Sequence, residues 1–253
     1  MARRDEIIAF CDELLGITGF ADYGPNGLQV PGTREVSKVA TGVTANRELI
    51  ARARDGGAEL LLAHHGLLFG DAPAALSEQQ AERLRVALCA ELSVAGYHLP
   101  LDAHPEVGNN ALLAECLDLE PTGRAFAEFK GNPIGTVARS AGGLGADELR
   151  SRIADAVGRE PLVFACGPER IETVGIVAGG GSRALAEAIA LGLDAFVTGE
   201  PSEHVMGEAR EGGIHFLAAG HYATETFGIR RLGELVAERF SVAHEFIDVP
   251  NPI

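Results

Sequence analysis

"SKVATGVTANRELIARARDGGAELLLAHH", residues 37–65, runs from a β-branched stretch through a helical pattern to an apolar run ending in two histidines. Leu49 and Ala53 lie one helical turn apart and Gly56 closes the turn, so the spacing predicts strand 35–43, helix 46–57 and strand 58–65. The same rhythm returns in "ETVGIVAGGGSRALAEAIALGLDAFVTGE", residues 172–200. At a constant offset Arg47 matches Arg183, Leu49 matches Leu185, Gly56 matches Gly192, and "ELLLAHH" matches "AFVTGEP". Strand–helix–strand units joined by short connections predict an α/β fold with parallel strands and right-handed crossovers.

Working outward, a helix over 77–91 leads to a third strand, "LSVAGYH" (92–98), which completes βαβαβ order in the first half. In the second half "IHFLAAGHYATE" (214–225) takes the place that "LSVAGYHLPLD" (92–102) holds in the first. We therefore expect two similar α/β lobes related by a pseudo-repeat, 1–125 and 126–253. The Gly- and Pro-punctuated stretch 120–149 serves as the transition, and no middle domain is inserted. Functional groups in such sheets gather at the carboxyl ends of strands, which places the site in the crevice between the lobes.

The composition sets outer limits on function. With 46% hydrophobic and 23% charged residues over 253, the chain can bury a large core without cross-links. A formal charge of −15 works against anionic partners, so neither nucleic acid nor a membrane surface is expected. No apolar run reaches the length of a membrane span, and the start of the chain reads as an amphipathic helix, which predicts a cytoplasmic protein. Cys11, Cys89, Cys116 and Cys166 form no CxxC pair and read as small buried apolar residues in a reducing compartment.

Histidines and carboxylates collect at the predicted strand ends. His64, His65, His98 and His221 each fall just past a strand, and both His98 and His221 are followed four residues later by a carboxylate, Asp102 and Glu225. Adjacent side chains alternate faces on a regular strand, so His64 and His65 can splay toward two metal ions only from an irregular turn. His221 and Glu225, at i and i+4, share one face if a helix starts there. Imidazole nitrogen mixed with carboxylate oxygen suits Zn, Fe, Mn, Co or Mg, and three histidines with two carboxylates underfill two ions, leaving positions for water. Glu225 or Asp102 then bridges the ions.

The other candidates have plainer readings beside them. His98 and His104 are expected to support the ligands through hydrogen bonds or to face solvent, and His215 and His244 to be satisfied structural groups. Glu200 takes the place of His64 in the repeat, and with His204 it is a candidate for acid–base chemistry or substrate contact. The glycine run "VAGGGS" (177–182) is either an anion cradle at a helix start or a close backbone approach.

Five motifs in order, "NGLQV" (26–30), "HHGLLF" (64–69), "YHLPLDAHPEVGNN" (97–110), "TGE" (198–200) and "AAGHYATE" (218–225), resemble the Ngg-interacting-factor-like family. Its bacterial members are described as dinuclear-metal-centre hexameric proteins and as GTP cyclohydrolase type 2 homologues. The resemblance implies metal ligands at His64, His65, Asp102, His221 and Glu225, two related lobes, and a ring-shaped homohexamer with its sites facing an inner cavity. It also implies a metal-dependent hydrolase in which two divalent ions activate water, with a nucleotide such as GTP as substrate and ring opening at purine C8. A non-enzymatic metal carrier or regulatory scaffold would use the same ligands. Leu67, Leu68 and Phe69, with the helix "FGIRRLGELVAERFSV" (227–242), are the expected subunit contacts.

Overall fold

A computed structural model describes residues 1–70 and 75–253. They form two compact α/β units: Met1–Leu101 with Gly228–Val249, and Asp102–Phe227 with Pro250–Ile253. The division thus falls after Leu101, not near residue 125, and the chain returns to the first unit near its end. The physical reason is sheet completion. The strand Ala243–Phe246 pairs in parallel with Lys38–Thr44 at an edge of the first unit's sheet.

In the first unit the sheet order is Ala243–Phe246, Lys38–Thr44, Leu60–His65, Ser93–Gly96, Gly27–Val30, with only the last pairing antiparallel. Leu60, Leu61, Leu62 and Ala63 are all fully buried, as a strand covered on both faces requires. The helix Arg47–Asp55 is capped by Asn46, whose side chain accepts from Leu49 N–H, and buries Leu49, Ile50 and Ala53. The helix Glu78–Cys89 starts in a capping box formed by Ser77 and Gln80. The strand expected over 35–43 is split: Glu35–Val36 pairs with Ala2–Arg3, and Lys38–Thr44 enters the main sheet.

In the second unit the order is Glu120–Phe129, Asn132–Leu144, Ile171–Val177, Ala195–Thr198, His215–Ala218, Leu162–Phe164. The stretch 120–149 is therefore mostly a long antiparallel hairpin built into this sheet, with Lys130 and Gly131 at positive φ in its turn. Phe126, Phe196 and Phe216 pack ring against ring in the core, Phe196 lying 5.9 Å centroid to centroid from each of the other two.

The internal repeat holds at the level of register. Val39 pairs with Leu60 and Leu60 with Ser93, as Gly175 pairs with Phe196 and Phe196 with Phe216. The next rung matches too: Tyr97 N–H donates to Ala63 O, and Gly220 N–H donates to Gly199 O. Each unit adds an antiparallel edge strand beside its third parallel strand, Gly27–Val30 in one and Leu162–Phe164 in the other. Counted along these ladders, His64 corresponds to Glu200, His98 to His221, and Asp102 to Glu225.

Three expectations change. The helix expected over 227–242 is Thr226–Phe240, and its apolar residues Ile229, Leu232 and Val236 are fully buried, so that face is not available to another subunit. Leu67 packs against the first unit's core, whereas Leu68 and Phe69 are exposed. Cys11 is buried as expected, but Cys89 and Cys116 are exposed. Among the described residues no helix is long and apolar enough to cross a membrane.

Candidate metal centre

The first unit brings His64, His65 and His98 together. One ring nitrogen from each lies within 4.8 Å of the other two. His64 and His65 close the strand Leu60–His65, and its parallel register with Lys38–Thr44 is kept through the Thr44–His65 pair, so they lie on the strand itself and not on the irregular turn expected after it. The two rings nevertheless lie close, with centroids 4.8 Å apart and planes inclined at 43°.

Each ring is held through Nδ1. His64 Nδ1 lies 3.0 Å from Tyr97 O, His65 Nδ1 lies 3.0 Å from Thr44 Oγ1, and His98 Nδ1 lies 2.6 Å from Asp22 Oδ1. An imidazole fixed at Nδ1 by a carbonyl, hydroxyl or carboxylate presents Nε2 as its ligating atom, the arrangement that orients metal-binding histidines. Asp22 does more than hold one ring. Its carboxylate also accepts from Asn26 Nδ2, Tyr23 N–H and Leu99 N–H. Burial works to raise the Asp22 pKa, but His98 and these donors outweigh it and hold the carboxyl below its usual value.

The second unit supplies His221, Glu225, Glu200 and Asp102. His221 opens a single helical turn, His221–Thr224, and Glu225 leaves helical geometry before the next helix starts at Thr226. The i, i+4 pair meets all the same: His221 Nε2 is 3.1 Å from Glu225 Oε1. On the ring's other side Nδ1 contacts Glu200 Oε1. Burial disfavours a charged imidazole, yet the Glu225 and Glu200 carboxylates prevail and push the His221 pKa up to about 9. The pocket thus favours a positive centre.

Asp102 is buried, and its Oδ1 accepts from Asn109 Nδ2 at 2.7 Å. Asn110, fully buried, donates to Asp102 O and Ile134 O and accepts from Ala178 N–H. The two asparagines of "GNN" thereby tie Asp102 to the glycine run. In that run Ala178, Gly179 and Gly181 N–H donate to Asn110, Thr224 and Thr198 side chains, so these amides are already engaged and close approach, not anion binding, explains the glycines. Gly179, at φ +64°, sits against the site: a Cβ there would collide with Glu225 Oε1.

The remaining candidates lie as follows. His204 is exposed at the start of the helix Val205–Gly212, and its side chain makes no hydrogen bond or ion pair among the described residues. His104 Nδ1 accepts from the Glu106 and Val107 amides and shapes the turn after Asp102. His215 Nε2 meets Pro168 O, and His244 Nε2 meets Thr41 Oγ1, both at 2.8 Å. Sequence reading missed Asp22, Asn26, Thr44 and Thr224. Asn26, Thr44 and Thr224 lay inside quoted stretches (26–30, 37–65 and 218–225) without being singled out, and Asp22 lay outside all of them.

Comparison with known proteins places these features. The family model Duf34/NIF3 (NGG1p interacting factor 3) matches residues 2–252. A relative from Yersinia pestis named GTP cyclohydrolase 1 type 2 homolog is 40% identical over 258 residues, covering 99% of each chain. Among solved structures, protein ybgI, described as of unknown function, has a TM-score of 0.93 at 39% identity and full coverage of both chains. TTHA1606 from Thermus thermophilus has a TM-score of 0.89 at 34% identity, again over both whole chains.

Proposed function

The chain belongs to the Duf34/NIF3 family, and from that premise we propose that it is a dinuclear metal-dependent hydrolase. His64, His65, Asp102, His221 and Glu225 hold two divalent ions, with His64 and His65 on different ions. The observation that carries the reading is the set of imidazoles whose Nδ1 atoms are engaged, at Tyr97 O, Thr44 Oγ1 and Glu200, so that Nε2 is the atom offered. The donor set fits: neutral imidazole with carboxylate oxygen and no thiolate suits borderline divalent ions such as Zn, Fe, Mn or Co.

When bound, two divalent ions lower the pKa of water and polarise an electrophile. The protein's own part is orientation. Asn109 holds Asp102, and Gly179 leaves room for Glu225. Glu200 steadies the His221 ring and is the carboxylate best placed to take or return a proton beside it. The name carried by the Yersinia pestis relative supports a guanine nucleotide as the first substrate to try, with water added at purine C8. The test is a panel of nucleotides and phosphoesters offered to metal-replete protein. Turnover abolished by Glu225→Ala supports the hydrolase; no turnover above a metal-only background with any divalent ion favours a metal carrier.

A further inference from the structure

We propose that Arg159 anchors an anionic group of the substrate, phosphoryl or carboxylate, beside the metal ligand His221. The inference rests on the metal-dependent function proposed above and names a substrate class for it. Every residue it uses belongs to the second unit.

Packing is the first observation. Arg159 follows Gly158, which closes the helix Ala146–Val157, and its side chain lies across Gly220, the residue before His221. A Cβ at Gly220 would stand 2.8 Å from Arg159 Nη1, 3.1 Å from its Cδ and 3.3 Å from its Cζ. Gly220 also has φ +101°, so two constraints keep that position a glycine. The internal repeat breaks at this point. The matching rung in the first unit is Tyr97, whose side chain is fully buried. The first unit uses the position for core packing, whereas the second clears it for a guanidinium.

Charge is the second observation. Arg159 forms no ion pair among the described residues, and its neighbour Glu160 binds Arg150 instead. In a chain of net charge −15, a guanidinium with no carboxylate beside it is a local positive site. The third observation is an oxygen already seated there. Arg159 Nη1 donates to Pro252 O, and Tyr222 N–H donates to Ile253 O at 3.0 Å. Asn251 Oδ1 accepts from Ile253 N–H at 3.0 Å and bends this segment back on itself. A neutral carbonyl engages one of the five guanidinium N–H groups, and a charged oxygen bonds about twice as strongly. An incoming phosphoryl or carboxylate group can therefore join or replace Pro252 O and pair with the planar fork through two oxygens. Arg159 binds and orients that group and takes no part in bond making.

Calorimetric titration of the metal-replete full chain with inorganic phosphate and, separately, with acetate tests this and tells the two anion classes apart. At least one should bind the wild type. Arg159→Gln should weaken it at least fivefold, with metal content unchanged by elemental analysis. Arg159→Lys should recover part of the loss, because it keeps the charge without the fork. Asn251→Ala, which loosens the segment and leaves the guanidinium, separates anion binding from tethering and should leave the affinity unchanged or raise it. Four results would each overturn the inference: neither anion binds, Arg159→Gln stays within twofold of wild type, Arg159→Gln loses metal, or Asn251→Ala loses as much affinity as Arg159→Gln. Failure of the hydrolase reading looks different: no substrate is turned over, while anion binding that depends on Arg159 persists.

Discussion

At the scale of single residues, Gly179 and Asn110 carry more of the site than their chemistry suggests. Gly179→Ala would place a methyl against Glu225 Oε1 and force a side chain into a positive-φ position. We expect it to cost about 1–3 kcal/mol of stability and to lower metal content together. Urea unfolding of metal-free protein and elemental analysis would read the two effects separately. Asn110→Ala removes a buried side chain bonded to Asp102 O, Ile134 O and Ala178 N–H, leaving groups unpaired at about 1–3 kcal/mol each. The metal-free variant should unfold at markedly lower urea than wild type. His221 and Glu225 were legible in the sequence because a four-residue spacing beside a strand end carries its own geometry. Asp22 was not. It lies in an irregular segment 76 positions from His98, and only the fold brings the pair together.

At the scale of elements, the repeat was readable from the alternation of strand and helix, and the ladders preserve it residue for residue. The hairpin over 120–144 was obscured by Gly123, Pro121 and Gly131, which look like loop punctuation yet sit within the edge strand Glu120–Phe129 and in the turn that joins it to Asn132–Leu144. Each unit also closes its first two parallel strands with a carboxylate clamp. Glu59 accepts from Ser37 N–H, Ser37 Oγ and Lys38 N–H; Asp194 accepts from Glu172 N–H, Thr173 N–H and Thr173 Oγ1. Partial burial acts to raise the Glu59 pKa, but the Lys38 and Ser37 donors outweigh it and hold it low. A carboxyl depressed in the folded state stabilises above its unfolded pKa, and the contribution fades as pH falls through the folded value. Glu59→Gln should therefore cost up to about 1 kcal/mol at pH 7, because the group is partly solvated, and almost nothing below about pH 3. Urea titrations at the two pH values give the comparison.

At the scale of the molecule, a chain of net charge −15 resists association unless apolar contact opposes the repulsion. Tyr23, Leu68 and Phe69 are large, exposed and held in place: Gly70 N–H donates to Tyr23 O, and Leu68 N–H donates to Gln29 Oε1. We propose that this patch meets another subunit in a closed homo-oligomer of about six chains. Light scattering at micromolar concentration should give that mass for the wild type and a smaller one for Phe69→Asp. A monomer with metal bound would show that the ring is not needed. The central claim concerns the metals, and elemental analysis of dialysed, reconstituted protein tests it most directly. The account predicts two divalent ions per wild-type chain and the loss of at least one in both His65→Ala and Glu225→Ala, with the folded circular dichroism spectrum kept. Two full equivalents retained in both variants would contradict it.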